Sequence, residues 1–159
     1  MPQPFVFRKS LRWGLLLAAL LLGACAKVND TSLRLVSTSR DAYLLVNGQV
    51  LTGTVLLVPD RTGRLSFSEG TGAISSCSGG LRYTASNSGE MDVRCNDGTE
   101  VALQYTLLSE TRGYGYGATA QGVVSIAFGL SESDALAFLK APAGKKVVVN
   151  VDSGALEVQ

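Results

Sequence analysis

The chain has 159 residues, 46% hydrophobic and 17% charged, with 14 Lys and Arg against 13 Asp and Glu and a formal net charge of +1. The charges are scattered singly, so there is no basic stripe to neutralise phosphates and no polybasic patch for lipid headgroups; nucleic acid is not an expected partner. Histidine is absent, which excludes Ser-His-Asp and Cys-His nucleophile arrangements and His-based zinc sites.

Arg8, Lys9 and Arg12 precede an apolar run from Trp13 to Leu22. Its ten residues are about half of the roughly 20 that a spanning helix needs, which suits a signal-peptide core. The run closes on Leu22-Gly23-Ala24-Cys25, and this resembles the lipobox of bacterial lipoproteins, with Leu three positions before Cys and small residues between. The resemblance implies a signal peptide over 1–24, cleavage before Cys25, and covalent diacylglycerol plus an N-acyl chain such as palmitate on Cys25. No other cofactor is expected. A secretory peptide cut beside Ala24 or Ala26 is the competing reading. With Ala26 rather than Asp after the Cys, the implied location is the bacterial cell envelope, lipid-anchored at the outer membrane and facing the periplasm. Two or three acyl chains, at about 0.8 kcal/mol per buried CH₂, make such an anchor durable. Removing 24 of the 159 residues leaves 135, and losing three of the 14 basic residues leaves 11 against 13 acidic ones, a net charge of −2. Residues 25–32 then form a short tether, and 33–159 a single β-rich domain.

The rest of the chain is a series of short alternating strands. Leu33 to Val36 and Tyr43 to Val46 are strand-like, and Asn47-Gly48 before Gln49-Val50-Leu51 is a strong two-residue hairpin signal. Thr54 to Val58 runs into the turn Pro59-Asp60-Arg61-Thr62-Gly63, and Leu65 to Ser68 into Glu69-Gly70-Thr71-Gly72. Beyond Asn96-Asp97-Gly98, Thr99 to Leu108 places Val101, Leu103, Tyr105 and Leu107 on one face. Further strands are predicted at Tyr114 to Ala118, Gly122 to Phe128 and Lys146 to Val151. The glycine-bearing turns between dissimilar segments indicate a meander, not a solenoid repeat.

With Cys25 lipidated, Cys77 and Cys95 have one possible intramolecular partner each. Leu81 and Tyr83 share parity with Cys77, and Met91 and Val93 share parity with Cys95, so both Cys belong to apolar strand faces. The turn-rich stretch Thr84 to Gly89 joins the strands as a hairpin, and pairing Cys77 with Cys95 puts Leu81 opposite Met91. Gly79-Gly80 is a candidate bulge. A metal pair and a redox dithiol are the competing readings. Two sulfurs make a poor metal set, and the spacing is far from Cys-x-x-Cys.

One segment breaks the β pattern. Ser131-Glu132-Ser133-Asp134 reads as a capping box, and Ala135 to Lys140 continues a helix of about two and a half turns, ended by Pro142 and Gly144. Ala135, Leu136 and Leu139 would cover a sheet face or plug an open end. The set Cys77-Ser78-Gly79-Gly80, Gly89, Cys95-Asn96-Asp97-Gly98, Gly113-Tyr114-Gly115-Tyr116-Gly117 and Phe128-Gly129 resembles a pattern of small uncharacterised envelope β-domains of proteobacteria. That resemblance implies no activity.

Catalytic groups are sparse. Glu90, Asp92 and Glu100 fall on polar strand faces, where a solvated charge is the ordinary reading rather than an acid/base pair. Lys140, Lys145 and Lys146 offer a formal Ser-Lys dyad but occupy a helix end and a turn. Gly113 to Gly117 lacks the parallel strand and following helix of a phosphate loop. Tyr114 and Tyr116 share one strand face: inward they are core, and outward they form a platform for a glycan or peptide. The expectation is therefore a mainly β fold, an antiparallel meander forming a small barrel or rolled sheet, with one C-terminal helix and one disulfide. No enzyme activity and no metal are expected. The chain reads as a non-enzymatic binding or structural module for an envelope protein or cell-wall glycan, with Tyr114 and Tyr116 as candidate contacts. The alternative is a binder of a small apolar ligand in a cavity of the β-fold.

Overall fold

Alternation at period two builds eight antiparallel strands from the central part of the chain: β1 (Thr38–Val46), β2 (Gln49–Val58), β3 (Thr62–Glu69), β4 (Cys77–Tyr83), β5 (Ser88–Cys95), β6 (Glu100–Ser109), β7 (Arg112–Thr119) and β8 (Gly122–Phe128). The computed structural model describes residues 37–69 and 72–159. Cys25 with its lipobox, the tether at 25–32 and the strand expected at Leu33 to Val36 lie outside the described residues. Each strand pairs with the next, and β1 also pairs with β8 from Ala42↔Phe128 to Leu45↔Ser125, so the meander closes as a barrel and not as an open roll.

Turn chemistry sets the register locally. Asn47 and Gly48 both have positive φ, at 50° and 76°, the backbone of a tight turn that matches strand twist. At the β2–β3 turn Asp60 accepts hydrogen bonds from the Thr62 amide at 3.0 Å and hydroxyl at 2.6 Å. Asp97 does the same for Thr99 at the β5–β6 turn, at 2.9 and 2.8 Å, and these bonds hold its carboxyl below the usual range. Cys77 pairs with Cys95 and Leu81 with Met91, in the register read from parity. The two Cys form a disulfide with Cα atoms 3.9 Å apart. Ladders on both sides of Gly79-Gly80 run without a shift; the irregularities fall at Thr52/Gly53 and Leu107/Ser109 instead. Gly79 needs no bulge because it faces inward, where a Cβ would press on the β5 backbone at Asp92 and Val93.

An eight-strand barrel has an interior just wide enough to be filled by side chains. Leu44, Leu51, Val55, Met91, Leu103 and Ile126 point inward and are each 0% exposed. Tyr105 meets Tyr83 edge-on at 5.7 Å and Phe128 at 6.3 Å, so aromatic rings occupy part of the lumen. Gly89 leaves room for the Tyr105 ring and Gly113 for Phe128.

A second apolar layer lies outside the barrel. Leu45 of β1 and Ala127 of β8 pack against Ala135, Leu139 and Leu156 from the C-terminal segment. That segment contains α1 (Glu132–Ala135) and a hairpin of β9 (Val147–Val149) with β10 (Leu156–Val158). Ser131 caps α1 by accepting from the Asp134 amide at 3.2 Å, as the capping box implied. The helix is only four residues long, however. Its exit tightens, with the amides of Ala137 and Phe138 donating to the carbonyls of Asp134 and Ala135. The Lys140 amide then donates to Ser125 Oγ at 3.0 Å, and these tertiary contacts outweigh the helical propensity of Ala135 to Lys140. The predicted C-terminal strand contracts to β9, whose partner β10 had no separate strand signal.

Candidate functional site

Strand β7 alternates Gly and Tyr, and barrel closure assigns the two faces. Gly113 and Gly115 face the lumen, so Tyr114 and Tyr116 project outward and remain half-buried. This decides between the two faces left open for the tyrosines: Tyr105 and Phe128 fill the inner side, and a Cβ at Gly113 would stand 2.6 Å from Phe128 Cζ. The outward rings are 5.6 Å apart. Phe138 stacks on Tyr114 with centroids 4.5 Å apart and planes inclined by 19°. Lys140 Nζ lies 4.1 Å from the centre of the Tyr116 ring. Burial, and then Tyr114, raise the Tyr116 pKa. The aromatic stack and the cation–π contact, each worth about 0.5–1.5 kcal/mol, clasp the C-terminal segment to the barrel. One face of each ring is thus engaged within the chain, and only the remaining surface is open to a partner.

The carboxylates weighed as acid/base candidates lie on the outer wall beside arginines. Arg82 contacts Glu90 at 2.5 Å and Asp92 at 3.9 Å, and Arg94 contacts Glu100 at 2.9 Å. Hydrogen bonds from Arg82 and Gln104 hold the Glu90 carboxyl below its usual range. Solvent screens such exposed pairs, so they add little to stability. Lys140 does meet a serine, but through its main-chain amide on Ser125, with Nζ over Tyr116.

A second feature had no signal in the sequence. An open cleft of about 580 Å³ lies against the outer wall of β1, β2 and β3. Asp41 and Tyr43 of β1, Thr52 and Thr54 of β2, and Ser66 and Ser68 of β3 line it, with Glu132 of α1 at one side and Ser153 to Ala155 of the β9–β10 turn at another. Burial is the largest cause of a raised Tyr43 pKa, and the charges of Glu132 and Asp41 raise it further. Alternation alone puts Thr52, Thr54, Ser66 and Ser68 outward. Only the fold brings α1 and the hairpin turn beside them.

No protein-family model and no curated protein matches the chain. Among solved structures, a redesigned β-barrel aligns with it at 19% identity and a TM-score of 0.45, over 59% of this chain and 90% of that one.

Proposed function

We propose that the barrel is a non-enzymatic binding module, held at the outer membrane of a bacterial envelope by lipid on Cys25 and engaging an envelope protein or cell-wall glycan through its outer surface. The observation that carries the surface reading is the filled lumen: the inward side chains of Leu44, Leu51, Met91, Leu103 and Ile126 are each 0% exposed. Packing of this kind favours recognition outside the barrel over an apolar ligand inside it. The lipobox at Leu22 to Cys25 supports the anchor, and the Cys77–Cys95 disulfide accords with an oxidising compartment.

The test is chemical. Mass spectrometry of the mature N-terminal peptide should find diacylglyceryl and N-acyl groups on Cys25, and C25S should accumulate as unprocessed precursor. Normal processing of C25S overturns the anchor. Fractionation wholly with the inner membrane overturns the outer-membrane placement.

A further inference from the structure

The cleft on β1, β2 and β3 is built from rows that cross the sheet. Asp41 pairs with Thr54, and Thr54 with Ser66, so a carboxylate and two hydroxyls lie side by side on adjacent strands. Neighbouring strands are spaced by about 4.8 Å. Tyr43 pairs with Thr52 in the next outward row and adds an aromatic edge. The wall opposite the sheet is braced. Asn150 Oδ1 accepts from the amides of Asp152 and Ser153 at 2.9 and 3.3 Å, and Asn150 Nδ2 donates to Glu157 at 2.9 Å. Gly154 completes that turn with φ of 72°.

Among the described residues, Asp41 and Glu132 have no ion-pair partner, in contrast to Glu90 and Glu100, which face arginines. Two unpaired carboxylates beside a half-buried Tyr make the cleft an acceptor-rich, negative surface. Its volume of about 580 Å³ lies within the roughly 300–1,000 Å³ of small-molecule sites.

We propose that this cleft binds a hydroxyl-rich glycan, neutral or amine-bearing, with Asp41 and Glu132 accepting hydrogen bonds from sugar hydroxyls or an amine. Carboxylates accept charge-assisted bonds from such donors, while the hydroxyls of Thr54, Ser66 and Ser68 adapt as donor or acceptor. Tyr43 packs partly against the outer apolar cluster, and the rest of its ring, which lines the cleft, offers an apolar surface to sugar C–H groups. The same negative charge disfavours uronates and phosphorylated sugars. This inference deepens the binding reading above and rests on it.

The experiment uses the mature protein purified in detergent and titrated, by calorimetry and saturation-transfer NMR, with short oligosaccharides of N-acetylglucosamine and of glucosamine. Saturable binding of at least one is expected. D41N and E132Q should each weaken it about tenfold, the size of one lost charge-assisted hydrogen bond. S66A, an exposed change that threatens no packing, should weaken it by a smaller factor. E110Q, in the β6–β7 turn away from the cleft, should leave it unchanged. If glucosamine binds more tightly than its N-acetyl form, added salt should narrow the gap. No saturable binding of either sugar, affinities unchanged in both carboxylate variants, or calcium alone saturating the cleft while sugars remain silent would each overturn the proposal. A photocrosslinker at Ser68 separates this failure from that of the broader reading. Capture of an envelope protein in cells would retain the binding module while removing its glycan ligand, and capture of nothing would count against both.

Discussion

The inward glycines of β7 can be tested by adding one methyl group. A Cβ at residue 113 would sit 2.6 Å from Phe128 Cζ and 2.7 Å from the Thr106 carbonyl oxygen, whereas ordinary contact begins at 3.4 Å. Phe128 would have to retreat by about 0.8 Å, the difference between 3.4 and 2.6 Å. It is 0% exposed and abuts Tyr105, and the Thr106 carbonyl belongs to a ladder strand that cannot move alone. Overpacking of this kind costs about 1–3 kcal/mol. The smaller conformational entropy of unfolded Ala offsets about 0.4–1 kcal/mol of it. G113A should therefore be destabilised by about 1–2 kcal/mol, or about 4–8 °C in Tm for a domain of this size. Urea and thermal unfolding followed by circular dichroism provide the measurement. F128L removes the ring tip that the new methyl meets, so the G113A/F128L double variant should lose about 1 kcal/mol less than the sum of the singles. G80A is the control, because its Cβ would point outward with its nearest neighbour 3.8 Å away; it should be neutral or slightly stabilising. Equal effects of G113A and G80A, or strict additivity with F128L, would refute the assignment of faces.

The disulfide closes a loop of sequence separation 18, for which loop-closure entropy predicts a loss of about 3 kcal/mol on reduction. A denaturation midpoint unchanged by reductant, or by C77A/C95A, would contradict it. At high pH Tyr43, Tyr83, Tyr105 and Tyr116 should resist ionisation until the barrel opens. Burial raises the Tyr105 pKa most, and Tyr43, Tyr83 and Tyr116 are also raised. Among the described residues the buried Tyr105 hydroxyl has no hydrogen-bond partner to favour its phenolate. A phenol whose folded pKa exceeds its unfolded value stabilises fully below pH about 10 and loses that contribution as pH rises toward the folded value. The phenolate absorbance of these four tyrosines should therefore appear together with loss of tertiary structure above that pH. Simple ionisation of all four of these tyrosines near pH 10 in still-folded protein would be inconsistent with this burial.

Local chemistry carries the parts of the fold that depend on neighbours in the chain. Asn47-Gly48 dictates its turn because both positions need positive φ. The shared parity of Cys77 with Leu81, and of Cys95 with Met91, is sufficient for the β4–β5 register because a one-residue slip would turn both apolar faces to water. Ser131 and Asp134 mark where a helix begins, but not how far it runs. Its length follows from Phe138 reaching Tyr114 and the Lys140 amide reaching Ser125, contacts between segments distant in sequence. Parity likewise places Tyr114 and Tyr116 on one face without identifying it. That is resolved only when β1 pairs with β8 and the lumen, crowded by Tyr105 and Phe128, admits glycine alone on the inner side of β7. The cleft is the least local feature of all. Asp41, Thr54 and Ser66 read singly as polar strand residues, and Glu132 as a first-turn helix acid. They become one surface because the apolar underside of the C-terminal segment, through Ala135, Leu139 and Leu156, must be buried against Leu45 and Ala127, and that packing carries α1 and the β9–β10 turn to the edge of the same three strands.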